Sequence, residues 1–354
     1  MDLSINVGYF APHITNDHKL IKDLDELGVS CIWTAEGYGY DAVTPLAYFA
    51  ALTNNMEIGS GIMQIPGRTP AMTAMTAVTL DKMSNGRFRL GLGVSGPQVV
   101  EGWHGVPYGK PLLKTREYVQ LVKKILKRDG KIEHKGEYYT LPYRESDATG
   151  LGKPLKLIEE PLRSDIPIYI AAIGPKNIEL TAEIADGWLP FMYSPTKGDK
   201  VFEEYLNKGF DKAKAKNKKK NFNIVATVNA KICTEEEKED NLKYARNVYT
   251  LYVGGMGAKD KNFFFNLVCD YGYDEVANEI QKLYLSGQKE AAEALFPSDL
   301  LDDLTLVGTK EEIKEKFDMW KNSNVTELSI GLPVDIETVK YLKSLKHKKL
   351  KNEY

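Results

Sequence analysis

Cysteine is scarce: the 354 residues hold three, Cys31, Cys233 and Cys269, far apart in the chain. With no CxxC pair and no Cys/His cluster, the spacing of a zinc site is missing and no structural disulfide framework is indicated. A surplus of charge is missing too. Lys+Arg number 47 against Asp+Glu 49, a formal net charge of −2, which leaves no global basic field to draw in nucleic acid or an anionic membrane. The basic runs KAKAKNKKK (212–220) and KHKKLK (346–351) carry no interleaved aromatics and read as solvated helix ends. No stretch reaches the roughly 18 consecutive apolar residues of a membrane span. The opening MDLSINVGYF also lacks the basic start and apolar core of a signal peptide. A soluble, cytoplasmic protein is expected.

Motifs of several chemistries are absent as well: GxSxG, HExxH and a Walker loop do not occur. GLGVSG at 91–96 has the outline of a dinucleotide fingerprint, but a long Pro-rich loop follows where a Rossmann helix would begin at once.

What the chain does have is alternation. Short apolar runs alternate with amphipathic segments, the pattern of βαβ units on a parallel sheet. Strands are expected at 5–10, 31–35, 57–63, 88–93, 168–172, 187–191, 223–232 and 327–331. Helices are expected between them, at 17–27, 45–53, 70–83, 115–127, 178–185, up to about 216, 310–321 and 335–345. Eight such units fit a (β/α)8 barrel, α/β in class and one domain in extent, better than an open doubly wound sheet. Two stretches break the regularity and read as insertions. One is 131–165, with a hairpin turning at Lys135-Gly136; the other is 234–304, helical and rich in Tyr and Phe. The compact helix AMTAMTAVTLDKM suits close packing, including against another subunit.

Barrel enzymes build their sites at the carboxyl ends of the strands. That rule singles out 36–44, 59–69, 93–111, 172–177 and 189–194, each rich in Gly, Pro or aromatics. The loop after the fourth strand is the longest, and carries Trp103, His104 and Tyr108. It is either a ligand-binding loop or a rigid surface loop.

GRFRLGLGVSG, IYIAAIGPKN and ADGWLP, in that order along the chain, resemble the bacterial-luciferase-like superfamily, in particular its coenzyme F420-dependent oxidoreductases. The resemblance spans nearly the whole chain and extends to methylenetetrahydromethanopterin reductases and F420-dependent dehydrogenases. It implies a luciferase-like TIM barrel with insertions, commonly a homodimer, that binds F420 or FMN and moves a hydride to or from a small organic substrate. An FMN-dependent monooxygenase is the alternative within the same fold. A flavin-binding relative without activity and a barrel hydrolase are more distant alternatives, the latter pairing Glu36 with Glu101 or Asp41.

The resemblance also distributes roles. In GSGIMQIPGR a bulge with a non-prolyl cis bond is implied at Gly61-Ile62, Ile62 pressing on one face of the ring. Ser95, Gly96 and Gln98 would meet the ring's polar edge. Ala172, Ile173, Gly174, Pro175, Lys176 and Asn177 form a strand-to-helix turn whose free N–H groups and helix dipole suit a phosphate, although an ordinary turn has the same form. Glu36 stands at the acidic position of the family, but Gly37 replaces the histidine that often follows it, which counts against sugar-phosphate dehydrogenase chemistry. Glu36 is therefore a candidate proton donor or acceptor, or else a structural carboxylate, and His104 is the second titratable candidate. His13 could line the same rim, with Tyr40, Trp188 and Tyr193 as possible cleft walls or packing residues. No metal ligand set is expected.

Overall fold

The computed structural model describes residues 1–256 and 262–346. These described residues form twelve strands: β1 Asp2–Gly8, β2 Cys31–Thr34, β3 Glu57–Ser60, β4 Met63–Gln64, β5 Phe88–Gly93, β6 His134–Lys135, β7 Thr140–Leu141, β8 Ile168–Ile170, β9 Gly187–Trp188, β10 Asn223–Ile232, β11 Thr305–Gly308 and β12 Glu327–Gly331. Parallel pairing runs β12-β1-β2-β3-β5-β8-β9-β10, and β10 returns to β12 through Val225↔Glu327 to Val228↔Ile330. The ring closes: this is a (β/α)8 barrel, with all eight expected strands in it and helices around the outside. Among the described residues no helix is long and apolar enough to cross a membrane.

Local chemistry accounts for the boundaries that differ from expectation. Helix Val43–Leu52 begins before Pro45 because Asp41 Oδ1 accepts from the N–H groups of both Val43 and Thr44, at 2.8 Å each. The third strand is not continuous. It ends at Ser60, passes a cis bond at Gly61-Ile62, and resumes as β4, where Met63 pairs with Leu92 and Gln64 with Gly93. The loop after β5 contains a short helix, Pro97–Gly102, and the next helix starts at Pro111. In the first insertion the hairpin β6–β7 turns over four residues, because Glu117 collects the N–H groups of Glu137, Tyr138 and Tyr139. Among its described residues the second insertion holds five helices, Glu235–Gly255, Phe263–Asp270, Asp274–Leu285, Lys289–Ala294 and Ser298–Asp303. It ends in β11, a strand not expected from the sequence, which pairs with residues 229–232 of β10 outside the ring. The basic run at 212–220 is solvated and partly paired, Lys212 to Glu179 and Lys218 to the Ala185 carbonyl. Of the second run, 347–351 lies outside the described residues, as does His347.

Two apolar clusters result. The larger lies between strands and helices, and the smaller one, Cys31, Trp33, Tyr169 and Val225, fills the inside of the barrel. A charged layer completes the inner plug. Arg89 pairs with Glu327 (2.6 Å) and with Glu57, Trp33 Nε1 donates to Glu327 (3.1 Å), and the guanidinium lies over the Trp33 and Tyr169 rings at 5.6 and 5.8 Å. Burial pulls the Arg89 pKa down, the acidic groups around it, Cys31, Glu327, Tyr169 and Glu57, push it up, and the net places it above its ordinary value. The guanidinium is therefore charged at every relevant pH.

Arg89→Met should cost about 3–5 kcal/mol, the penalty for leaving a buried carboxylate without its partner. Urea unfolding reads this directly. The further change Glu327→Gln in the same chain should recover part of the loss, and simple additivity of the two changes would contradict the account.

Candidate active site

Above the plug the inward-facing positions become small. Two residues on from Trp33, Gly59, Gly91 and Tyr169 in the alternation of the strands stand Ala35, Gly61, Gly93 and Ala171. Gly93 leaves room for Ile62: a Cβ there would lie 2.6 Å from Ile62 Cδ1, and the Ile62 side chain would have to shift. Ile62 thus lies across Gly93 and forms part of the floor of the mouth. The residues that follow β5, Val94 and Ser95, are half-buried, and Ser95 takes φ +60°, a left-handed conformation that turns the chain toward Gly96 and the helix it caps. A Cβ on Gly96 would meet Gln98 Oε1 at 3.2 Å, so these two expected ring-edge residues are neighbours.

Glu36 is buried at the exit of β2, and both its oxygens are engaged. Oε2 accepts from Ala42 N at 3.2 Å and Oε1 from Gln64 N at 2.8 Å, and Arg68 completes an ion pair. The carboxylate ties the loop after β2 to the exit of β4. Of the partners suggested for a hydrolase, Asp41 holds the start of helix Val43–Leu52 and Glu101 accepts from Tyr108 N at 3.2 Å.

Gln64 is the residue that the sequence reading missed. Its side chain is buried, its Nε2 donates to the Glu36 carbonyl (3.0 Å) and the Gly37 carbonyl (2.9 Å), and its Oε1 meets His104 Nε2. The available signal was a lone amide in the apolar run IMQIP, since a polar side chain buried in such a run must find partners. Through Gln64 the two titratable candidates, Glu36 and His104, belong to one hydrogen-bonded chain that ends at Arg68.

The turn at 172–177 lies at the exit of β8. Helix Pro175–Ile184 starts at Gly174 with no side-chain cap and no acidic residue in its first turn. The helices after Thr234 and Thr309, by contrast, have capping boxes and acidic first turns. Ala172 is buried and gives its carbonyl to Trp188 Nε1 (2.8 Å), while Ile173 is half-buried. Asn177 Oδ1 is a buried atom with no hydrogen-bond partner. The Lys176 ammonium is committed to Glu179 at 3.0 Å, a carboxylate held below its usual range by Lys212 and Lys176. Phe263, from the second insertion, lies against Gly174, where a Cβ would come within 2.8 Å of its ring.

Aromatics form the rim. Tyr9, Phe10, Tyr38, Tyr40 and Trp103 are exposed on loops after β1, β2 and β5. His13 joins them, 6.0 Å from both the Phe10 and Tyr40 rings. Although about half of Tyr9 is exposed, its hydroxyl end is turned to Tyr252 of the insertion, and loss of solvation at that end raises the phenol above its ordinary value. Tyr252 in turn packs on Phe191 and Phe264, at 4.5 and 4.6 Å. Trp188 and Tyr193 are not cleft walls. Both are buried, 0% and 2% exposed, in a cluster with Phe202, and the chain turns through a left-handed Met192, φ +59°, just before Tyr193.

A family model described as Luciferase-like monooxygenase matches residues 6–327. A protein of Mycobacterium tuberculosis, provisionally named a coenzyme F420-dependent oxidoreductase, is 39% identical over 331 residues, 93% of this chain and 94% of its own. A 5,10-methylenetetrahydromethanopterin reductase of Archaeoglobus fulgidus is 26% identical over 317 residues, 89% and 88% of the two chains. Among solved structures, the coenzyme F420-dependent tetrahydromethanopterin reductase of Methanopyrus kandleri superposes with a TM-score of 0.77 at 22% identity, covering 98% of each chain.

Removing the Glu36 carboxylate should release both segments that it joins. In Glu36→Ala, amide hydrogen exchange at Ala42 and Gln64 should speed by at least about tenfold, the equivalent of one hydrogen bond to a charged group. Unchanged exchange at both amides would remove Glu36 from this structural role.

Proposed function

Since the chain belongs to the luciferase-like monooxygenase family, we propose that it is a coenzyme F420-dependent oxidoreductase that moves a hydride between the deazaflavin and a small organic substrate. The observation that carries this reading is the pairing of two features at one barrel mouth. A floor made of glycine and Ile62 suits a flat ring, and an uncapped helix end suits the phosphate of its tail. The names of the Mycobacterium and Archaeoglobus relatives support F420 as the ligand.

Bound F420 supplies a two-electron hydride acceptor or donor. The chain's own residues would then do the following. Gly61 and Ile62 cover one face of the ring and keep water from it. Ser95 and Gly96 meet its polar edge. The turn from Ala172 through Ile173, Gly174 and Pro175 to Asn177 holds the phosphate, with the Lys176 backbone N–H in place of its paired ammonium. The unpartnered Asn177 amide fits this role, since a flipped or reoriented amide can donate to an anion. His104 and Glu36 are the groups able to move a proton, and His104 is favoured because the Glu36 oxygens already accept from three donors.

The same reading carries a homodimer in the cytoplasm. Supporting it, helix Pro70–Met83 exposes Met72, Met75 and Met83 on its outer face.

Titrating F420 and FMN into the purified protein, followed by absorbance, should show binding of F420 and not of FMN. Binding of FMN, with oxygen consumed when it is reduced, would favour the monooxygenase reading, and binding of neither would end both. With an active substrate in hand, Glu36→Gln should leave turnover within about threefold, while His104→Asn should lower it by about a hundredfold. The reverse order would give the proton step to Glu36.

A further inference from the structure

We infer that Gln64 is a positioning residue, which holds the His104 imidazole in its Nε2–H form and so leaves Nδ1 as the atom that exchanges a proton. The inference rests on His104 as the proton-moving group of the reading above. It comes from donor and acceptor accounting at one buried amide.

A glutamine side chain has two N–H donors on nitrogen and acceptor lone pairs on oxygen. Both donors of Gln64 are used, one on the Glu36 carbonyl at 3.0 Å and one on the Gly37 carbonyl at 2.9 Å. The amide cannot be turned over, because its oxygen would then face those two carbonyl oxygens. Oε1 is thereby fixed toward His104 Nε2, and an oxygen that can only accept requires a nitrogen that donates. Neutral His104 therefore carries its proton on Nε2, and Nδ1 keeps the lone pair.

The clamp is itself held. Gln64 N donates to Glu36 Oε1 at 2.8 Å, and Glu36 is fixed by Ala42 N and by Arg68. On the other side the imidazole lies on Gly67, where a Cβ would stand 3.1 Å from Cε1. Arg68, Glu36, Gln64 and Gly67 all belong to the exits of β2 and β4, whereas His104 arrives on the loop after β5. The hydrogen bond from Nε2 thus fixes the tautomer and ties the side chain to elements other than its own loop.

Imidazole 15N labelling tests this on the protein without any cofactor. The wild type should show His104 Nε2 protonated and Nδ1 unprotonated, with an Nε2–H proton that exchanges slowly; His104→Asn assigns the signals. In Gln64→Met that proton should exchange at least about tenfold faster, while the His18 ring, which meets the Tyr48 hydroxyl at 2.5 Å, stays as it was. Protonation on Nδ1 in the wild type would overturn the inference, and so would an unchanged Nε2–H in Gln64→Met. The wild-type spectrum alone decides the tautomer if the variant does not fold. An F420 titration on the same samples separates the two readings. No F420 binding together with an Nε2–H tautomer defeats the proposed function and leaves the positioning role standing.

Discussion

The interior of an eight-stranded barrel has a nearly fixed volume, and how side chains divide it between bulk and space controls everything built above. Here the bulk is concentrated at one level. Trp33, Tyr169 and Arg89 meet inside the ring, with Glu327 and Glu57 neutralising the guanidinium. Their size is accommodated by glycines at the same level: a Cβ on Gly59 would fall 2.5 Å from the Trp33 ring, and one on Gly187 would collide with Tyr169. Large and small residues therefore interlock across adjacent strands. Once the plug has filled the lower half, the carboxyl ends can be left to Gly61, Gly93 and Ala171, and a floor of small residues with Ile62 across it follows.

That floor would be of little use if the loops around it moved independently. Glu36 prevents this by joining the loop after β2 to the exit of β4, and Gln64 extends the connection to the loop after β5. Three successive loops of the rim are thus linked by two buried side chains. A carboxylate whose oxygens accept from two backbone amides and a guanidinium has its lone pairs committed, which suits a fastener better than a proton carrier. An imidazole whose Nε2 is committed to Gln64 keeps its other nitrogen for the opposite task.

Much of this was legible in the sequence because barrel strands advertise themselves. The runs at 88–93, 223–232 and 327–331 coincide with β5, β10 and β12 at both ends, since apolar residues bounded by turn formers leave little choice of period. The family resemblance located the interruption at Gly61-Ile62, and the structure has it there. Less visible were features decided by single long-range hydrogen bonds. β11 is four residues long, and its sequence TLVG is a strand only because residues 229–232 of β10 lie beside it. The burial of Tyr193 depends on Phe202 and Trp320, and that of Trp188 on the Ala172 carbonyl. Gln64 went unnoticed for a similar reason: its three partners lie 27, 28 and 40 residues away in the chain, a separation that no periodicity reports.

The second insertion ties the remaining side of the mouth to these parts. Its helices place Tyr252 and Phe264 on Phe191 just beyond β9, its Tyr271 hydroxyl donates to the Met192 carbonyl at 2.8 Å, and its Phe263 covers Gly174. One segment therefore touches both the aromatic rim, through Tyr252 and Tyr9, and the turn that starts helix Pro175–Ile184. Phe263 is half exposed although its ring lies against the backbone at the uncapped helix end. An aromatic in that place shields the N–H groups from bulk water on one side, and in a lower local dielectric an anion meeting those groups is held more strongly. The aromatic-rich composition of 234–304 is thereby accounted for by two surfaces at once, the packing on Phe191 and the cover over Gly174.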